Sequence, residues 1–393
     1  MPPERLSVDA AQARLLATPP LPAETVPLAD AANRVLAADL AFRLTQPPFA
    51  ASAMDGYAIR WQDMPGPWSV VGEAAAGHPW TGMLGPHEGL RIFTGAPVPA
   101  GADTVIVQED THSSAGTLTL TRSGPAHAGA HIRPAGLDFA AGAPALPAGT
   151  RLTPARLGLL AAGGHATLPV HCRPRVTLIA TGDELVPPGT TPAPGQIISS
   201  NGAMLAALLT ATGAIVTDAG IVADDRETLA QALQSADADI LVTIGGASVG
   251  DHDLIHPVLT GLGARLDFWK LALKPGKPLL AGTLGGTRVI GLPGNPVSAF
   301  VCALLFVAPL IRHLSGDPHP LPFTETARLT APLPANGDRR DHLRATLGPD
   351  GVTPAPRQDS SMLTILATAD ALIVRPENAP AAGIGEAVHI IRL

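Results

Sequence analysis

Apolar positions recur at helical spacing near the start of the chain: Val8, Ala11, Leu15 and Leu16, then Leu28, Ala32, Val35 and Leu36. The spacing predicts two helices, the second with Asp30 as its N-cap. From Thr45 to about Pro147 the pattern changes. Short apolar runs such as WSVVGEAAAG, RIFTGAPV, DTVIVQED and TLTLTRSG are separated by Gly and Pro turns, which predicts a β-rich module. Helical spacing returns over residues 152–162, preceded by Thr153-Pro154.

Beyond residue 172 strands and helices alternate. Strands are expected at 176–180, 214–221 and 240–244, and near Leu279 and Val289. Helices are expected at 201–212 (ended by Gly213), 226–235, 252–262 and 297–314. This rhythm predicts an α/β multidomain protein built around a doubly wound, mostly parallel sheet. After Pro318 short strands at 327–329, 371–374 and 387–391 predict a small C-terminal β-barrel. There is no internal repeat.

Composition narrows the class. The chain has 393 residues with 41 Gly and 41 Pro, yet 46% are hydrophobic and 15% charged, which favours packed cores over disorder. A net charge of −7 leaves no electrostatic footprint for nucleic acid or membrane. The longest apolar run, residues 299–311, contains Pro309 and falls short of the roughly 20 residues a bilayer span needs. Arg5 and Asp9 stand where a signal peptide would be apolar. Cys172 and Cys302 are far apart and lack zinc-site spacing, as expected of reduced thiols. A cytoplasmic protein is expected.

Rare residues locate the chemistry. All three lysines, Lys270, Lys274 and Lys277, fall in the stretch FWKLALKPGKPLL, and every other basic residue is arginine. A mobile ammonium differs in use from a planar fork, so a functional cluster is favoured over chance or a lysine-bearing surface strand. The single tyrosine, Tyr57, sits in SAMDGYA. Three glycine-containing loops, GGASVG (245–250), LKPGK (273–277) and GLPGNP (291–296), fall at strand ends. In an open α/β sheet that edge forms the ligand crevice, and glycines and helix N-termini there present N–H groups to an anion. A phosphorylated or oxyanion ligand is expected.

Carboxylates gather at the same edge: Asp183 and Glu184 in TGDE, Asp224-Asp225, and Asp251 with Asp253. Facing an anion, they imply a bridging divalent cation such as Mg²⁺. For Asp224 and Asp225, helix capping is an equal alternative. His252 and His256 have i,i+4 spacing without a fitting third ligand, so an exposed helical pair is favoured over a metal pair. GxxxxGK[ST] and GxGxxG are absent.

Seven motifs in order carry a resemblance: PPFAASAMDGYAIR, RIFTGAPVPAGADTVIVQED, TGDELVPPG, GQIISSNGAML, GGASVGDHD, KLALKPGKP and GLPGNPVSA. Together they resemble the molybdopterin molybdenumtransferase family, the MoeA type, similar to the E domains of plant Cnx1 and gephyrin. The resemblance implies Mg-dependent insertion of molybdate into adenylylated molybdopterin with release of AMP. It implies an elongated homodimer, supplied by a molybdopterin adenylyltransferase, with no nucleic-acid or membrane partner. The active cleft would form between the α/β domain of one subunit and the β-rich domain of the other.

The implied domains are 1–44 with 135–172 (linker and dimerisation), 45–134 (β-rich), 173–317 (α/β, molybdopterin-binding) and 318–393 (β-barrel). Matched by motif, Asp55, Thr94, Glu184, Asp224, Asp253, Lys270, Lys274 and Lys277 are the implied catalytic residues. Glu184, Asp224 and Asp253 are the implied Mg²⁺ ligands. Gly245, Gly246, Ser248, Gly250, Pro293, Asn295, Pro296, Ser298, Arg344 and Ser361 (or Ser360) are implied to bind substrate. Leu137 stands where the family commonly has an acidic residue, and Asp370 where it usually has Asn. A tungstate-inserting paralogue and a non-catalytic molybdopterin-binding scaffold of the same fold are the alternatives.

Overall fold

The computed structural model describes residues 5–245 and 254–393. These form two compact units. The first combines residues 5–24, Asn33–Ala37 and Pro169–Leu393; the second combines Thr25–Ala32 with Ala38–Leu168.

In the first unit, strands β1 (Arg175–Thr181), β2 (Ile215–Val222), β3 (Ile240–Ile244), β4 (Arg265–Lys270), β6 (Pro278–Leu284) and β7 (Thr287–Leu292) form one six-stranded sheet. Its order is β2-β1-β3-β7-β6-β4. The first four strands are mutually parallel and β6 is antiparallel to both its neighbours, β7 and β4, so the expected mostly parallel sheet is mixed. A two-residue turn links β6 to β7 and residues 271–277 link β4 to β6, connections too short for a parallel crossover.

Helices cover both faces. Helices α1 (Val8–Leu16), α2 (Asn201–Thr212) and α5 (Pro296–Leu314) bury Val8, Leu205 and Leu305 on one side. Helices α3 (Arg226–Ser235) and α4 (Ile255–Gly261) bury Leu229 and Ile255 on the other. Central strand β3 feeds both layers: Ile240, Val242 and Ile244 face the first, Leu241 the second, as strand alternation requires.

Helix α5 is 19 residues long and apolar enough to cross a membrane, but most of it is buried in this core. It matches the helix expected at 297–314 and continues through Pro309. Proline has no N–H for the carbonyl four residues earlier. A π-helical turn, Ala303–Val307, absorbs the mismatch, and the buried Gln12 on α1 donates to the Leu305 carbonyl at 2.8 Å.

The helix expected over residues 28–36 is not formed. A single 3₁₀ turn, Leu28–Asp30, closes on Asp30, and Asn33 is left-handed with φ 63°, which no α-helix tolerates.

The C-terminal part of the first unit is a second sheet: β5 (Leu273–Lys274), β8 (Glu325–Arg328), β9 (Arg340–Gly348), β10 (Gly351–Pro354), β11 (Ala371–Arg375) and β12 (Ala387–Arg392). The order is β5-β9-β11-β12-β8, with β10 also on β9, and a bridge from Leu329 to Val352 brings β8 and β10 together. Leu329, Val352, Ile373 and Ile390 fill its interior.

The second unit holds a six-stranded sheet ordered Thr104–Val107, Gly56–Ile59, Glu88–Ile92, Trp68–Ala74, Thr117–Leu120 and Thr111–Ser114. Fully buried Ile59, Trp68, Ile106 and Leu118 pack one part of it. Helix Pro154–Ala162 belongs to this unit, capped by Thr153 with Pro154 in its first turn.

Candidate functional site

The carboxyl ends of β1, β3 and β7 open onto two neighbouring cavities. The first, about 540 Å³, is lined by residues including Thr181, Glu184, Ser199, Ser200, Asn201 and Gly245. The second, also about 540 Å³, is lined by residues including Lys274, Lys277, Pro293, Ser298, Asp359 and Ser360. Gly294 and Asn295 line both, so the GLPGNP loop is their shared wall.

The loop is held in place from two sides. The Asn201 side chain, at the start of α2, donates to the Gly294 carbonyl at 2.7 Å. The Ser360 carbonyl accepts from Val297 N at 3.0 Å, tying the C-terminal segment to the start of α5. Pro293, Asn295 and Ser298 line the second cavity, and Asn295, Pro296 and Ser361 the first.

Lys274 and Lys277 both reach the second cavity. Lys274 Nζ donates to Asp341 Oδ2 at 2.8 Å. Lys277 is exposed and has no ion-pair partner among the described residues. Between them Gly276 has φ 111°, and a Cβ there would lie 2.5 Å from Cys302 Sγ, so only glycine fits this turn. Lys270 ends β4 opposite Pro278 and lines neither cavity.

Arg344 is not in the cavity wall. It is 1% exposed and braces the loop from behind, its Nη2 donating to the Asp359 carbonyl at 3.0 Å. Its backbone N donates to Gln358 Oε1 at 3.0 Å. Asp359 in turn accepts from Ser361 N at 2.8 Å and from Ser361 Oγ at 2.6 Å. These two bonds hold the Asp359 carboxyl below the usual carboxylate range, so one negative charge faces Lys274, Lys277 and Arg339 in the cavity wall.

The structure separates the Asp224-Asp225 pair. Asp225 is the N-cap of α3, accepting from Thr228 N at 2.8 Å and from its hydroxyl at 2.9 Å. Asp224 is left free to face the TGDE turn. Burial, then the nearby Asp183 and Glu184 charges, raise its pKa. Gly182 permits the approach of Glu184: a Cβ at Gly182 would meet Glu184 Oε2 at 2.5 Å. Two mutually repelling carboxylates with no basic partner among the described residues have the donor chemistry Mg²⁺ takes, one or two carboxylates completed by water and phosphate oxygens. No group of three or more His, Cys, Asp or Glu able to hold a metal occurs among the described residues. The expected sites Gly246, Ser248, Gly250 and Asp253, and His252, lie outside the described residues.

In the second unit Asp55 and Thr94 form a tight pair. Asp55 Oδ1 accepts from Thr94 N and from Thr94 Oγ1, each at 2.8 Å. The Thr94 amide, then its hydroxyl, lower the Asp55 pKa, with a smaller contribution from the Arg91 charge. The Arg91 guanidinium lies over the Tyr57 ring at 5.2 Å and the Phe93 ring at 4.6 Å.

Several lining residues were not singled out from sequence: Ser199, Ser200, Asn201, Arg339, Gln358 and Asp359. Asn201 lay inside the quoted GQIISSNGAML, and Asp359-Ser-Ser361 is an Asx-turn signal. Nothing local announced Asp341, which meets Lys274 only through the pairing of β5 with β9.

Models of three regions match this chain: the MoeA N-terminal region (domains I and II) over residues 6–164, a probable molybdopterin binding domain over 177–313, and the MoeA C-terminal region (domain IV) over 326–393. Molybdopterin molybdenumtransferase 2 of Mycobacterium tuberculosis is 37% identical over 93% of this chain and 94% of that protein. The molybdopterin molybdenumtransferase of Haemophilus influenzae is 38% identical over 79% and 78%. A molybdopterin biosynthesis MoeA protein from Pyrococcus horikoshii superposes with a TM-score of 0.83 at 27% identity, covering 99% of this chain and 100% of that one. This chain therefore belongs to the molybdopterin molybdenumtransferase (MoeA) family.

Proposed function

We infer that the protein is a transferase of molybdenum cofactor biosynthesis that inserts molybdate into adenylylated molybdopterin and releases AMP. Its family membership supports the transferase activity, and the paired cavities at the strand ends support the two-substrate reading. The observation that carries it is the wall shared by Gly294 and Asn295: a polar, acid-bordered cavity for a large substrate adjoins a lysine-lined cavity for a small oxyanion.

In this reading Lys277 and Lys274 hold the tetrahedral oxyanion, with Ser298 and Ser360 offering hydroxyls. Ser199, Ser200 and Asn201 border the cavity that takes the pterin substrate. Holding two anions that repel in solution within reacting distance is the main contribution of the protein. An oxygen from molybdate or water replaces the leaving oxygen at the attacked phosphorus, and AMP departs with the electron pair of the broken P–O bond. Lysine ammonium groups offset the negative charge that gathers there.

Glu184 and Asp224, with Asp253, are the proposed ligands for Mg²⁺, which when bound supplies charge neutralisation at the phosphoanhydride. In the second unit the Asp55–Thr94 pair is the corresponding candidate, a carboxylate kept ionised and fixed in direction. A cytoplasmic homodimer supplied by a molybdopterin adenylyltransferase is the proposed setting. Exposed Phe323 and Ile384, 81% and 70% accessible, support cover by a second copy.

The test is AMP release from purified adenylylated molybdopterin, with and without molybdate and Mg²⁺. Release that requires both is expected. Tight binding without release would replace this reading with the scaffold alternative, and faster release with tungstate would point to the tungstate paralogue.

A further inference from the structure

The Lys274–Asp341 pair sits where the oxyanion cavity meets a third one. That third cavity, about 580 Å³, is walled by Pro332, Pro334, Pro354 and Pro356 and also includes Lys274 and Asp341 in its lining. Lys274 thus borders two cavities, and Asp341 only the third.

The two partners differ in freedom. Asp341 lies on the nine-residue strand β9, and its side chain is 8% exposed. Lys274 lies on a two-residue strand, and its side chain is 49% exposed. The backbones are in register, so the lysine stands directly opposite the carboxylate. Arg375 is the register partner of Asp341 on the other side, but its guanidinium bonds the Pro334 and Pro380 carbonyls instead. The mobile cation of the oxyanion cavity is therefore docked on a fixed, largely buried carboxylate outside that cavity.

We propose that Asp341 is a positioning residue that docks the Lys274 ammonium between the two cavities, from which the lysine swings to meet a tetrahedral dianion in the Lys277 cavity. The inference rests on the oxyanion reading above. A dianion competes with Asp341 for Lys274, so the carboxylate weakens resting affinity while it fixes the point from which the lysine is delivered. Removing its charge is then expected to tighten oxyanion binding and slow turnover together, whereas a merely structural residue would weaken both.

The experiment is calorimetric titration of the full-length protein with sodium molybdate, paired with AMP-release kinetics. Asp341→Asn is expected to bind molybdate about three-fold more tightly or better, since the charge that competes for Lys274 is gone, with a lower kcat. Asp341→Glu, which keeps the charge and has cavity space beside it, is expected to retain the wild-type affinity. A folded Asn variant that binds molybdate no more tightly than wild type overturns the proposal.

With only three lysines in the chain, ¹³C-lysine NMR gives a second measurement on the unaltered protein. The Lys274 signal, assigned through Lys274→Arg, is expected to shift when molybdate saturates the site. A Lys277 shift with an unmoved Lys274 overturns the proposal by itself. Failure of the wild-type protein to bind molybdate overturns the oxyanion reading and this inference with it, so the two failures are told apart.

Discussion

The Asn201 side-chain amide donates to the Gly294 carbonyl at 2.7 Å, joining the start of α2 to the loop that separates the two cavities. This bond is one of two that hold the shared wall, the other being the backbone bond from Val297 N to the Ser360 carbonyl at 3.0 Å. Asn201→Ala is expected to cost about 1 kcal/mol of stability but to lower turnover by about ten-fold or more, because small displacements of positioning groups are costly to rate. Steady-state kinetics beside thermal unfolding checks this. Unchanged turnover would remove the wall from the mechanism.

Lys277 has no ion-pair partner among the described residues, so its removal leaves no buried charge exposed. Lys277→Ala is expected to fold as wild type, within about 0.5 kcal/mol, while molybdate half-saturation rises about ten-fold or more. Kinetics at varied molybdate, with a urea melt, distinguish loss of binding from loss of fold.

Asp224 and Asp225 are expected to separate by phenotype. Asp225→Ala removes the cap of α3 and is expected to cost about 1 kcal/mol with turnover little changed. Asp224→Asn removes a carboxylate with no basic partner among the described residues and is expected to leave stability intact while raising the Mg²⁺ concentration needed for half-maximal AMP release. Reversed phenotypes would exchange the roles assigned here.

His342, on β9, is 2% exposed, and burial, then the nearby Arg340 charge, push its pKa down to about 3. The unfolded chain takes up a proton near pH 6.5 that the folded chain refuses until about pH 3. The unfolded state thus binds more protons between these values, and stability falls as the pH is lowered, by up to about 1.4 kcal/mol per unit from this residue. Urea denaturation at pH 7, 6 and 5 is expected to show that slope, reduced in His342→Gln. Equal slopes in both proteins would contradict it.

Much of this was legible in the sequence because local rules carried it. Gly213 ends α2 in the left-handed conformation, with φ 112°, and Thr153 caps its helix through its side chain. Gly245 and the GLPGNP loop fall at the ends of β3 and β7, as expected, and Lys274 and Lys277 reach the adjoining cavity.

What was not legible depends on contacts distant in sequence. The apolar spacing over residues 28–36 looks helical until Asn33 turns left-handed. The helix α5 was expected at 297–314, but the donor that satisfies its Leu305 carbonyl, Gln12, lies 293 positions away. Arg344 has the residue type of an anion ligand, yet it is buried behind the Asp359 loop, and the pairing of Lys274 with Asp341 spans 67 positions. Residue type alone could not separate a ligand from a brace.

The most direct test of the central claim, that the lysine-lined cavity takes the oxyanion, is an anomalous difference map at the molybdenum edge from molybdate-soaked crystals. The account predicts one dominant peak within hydrogen-bonding reach of Lys277, Ser298 and Ser360. A dominant peak elsewhere, or none at saturating molybdate, would contradict it.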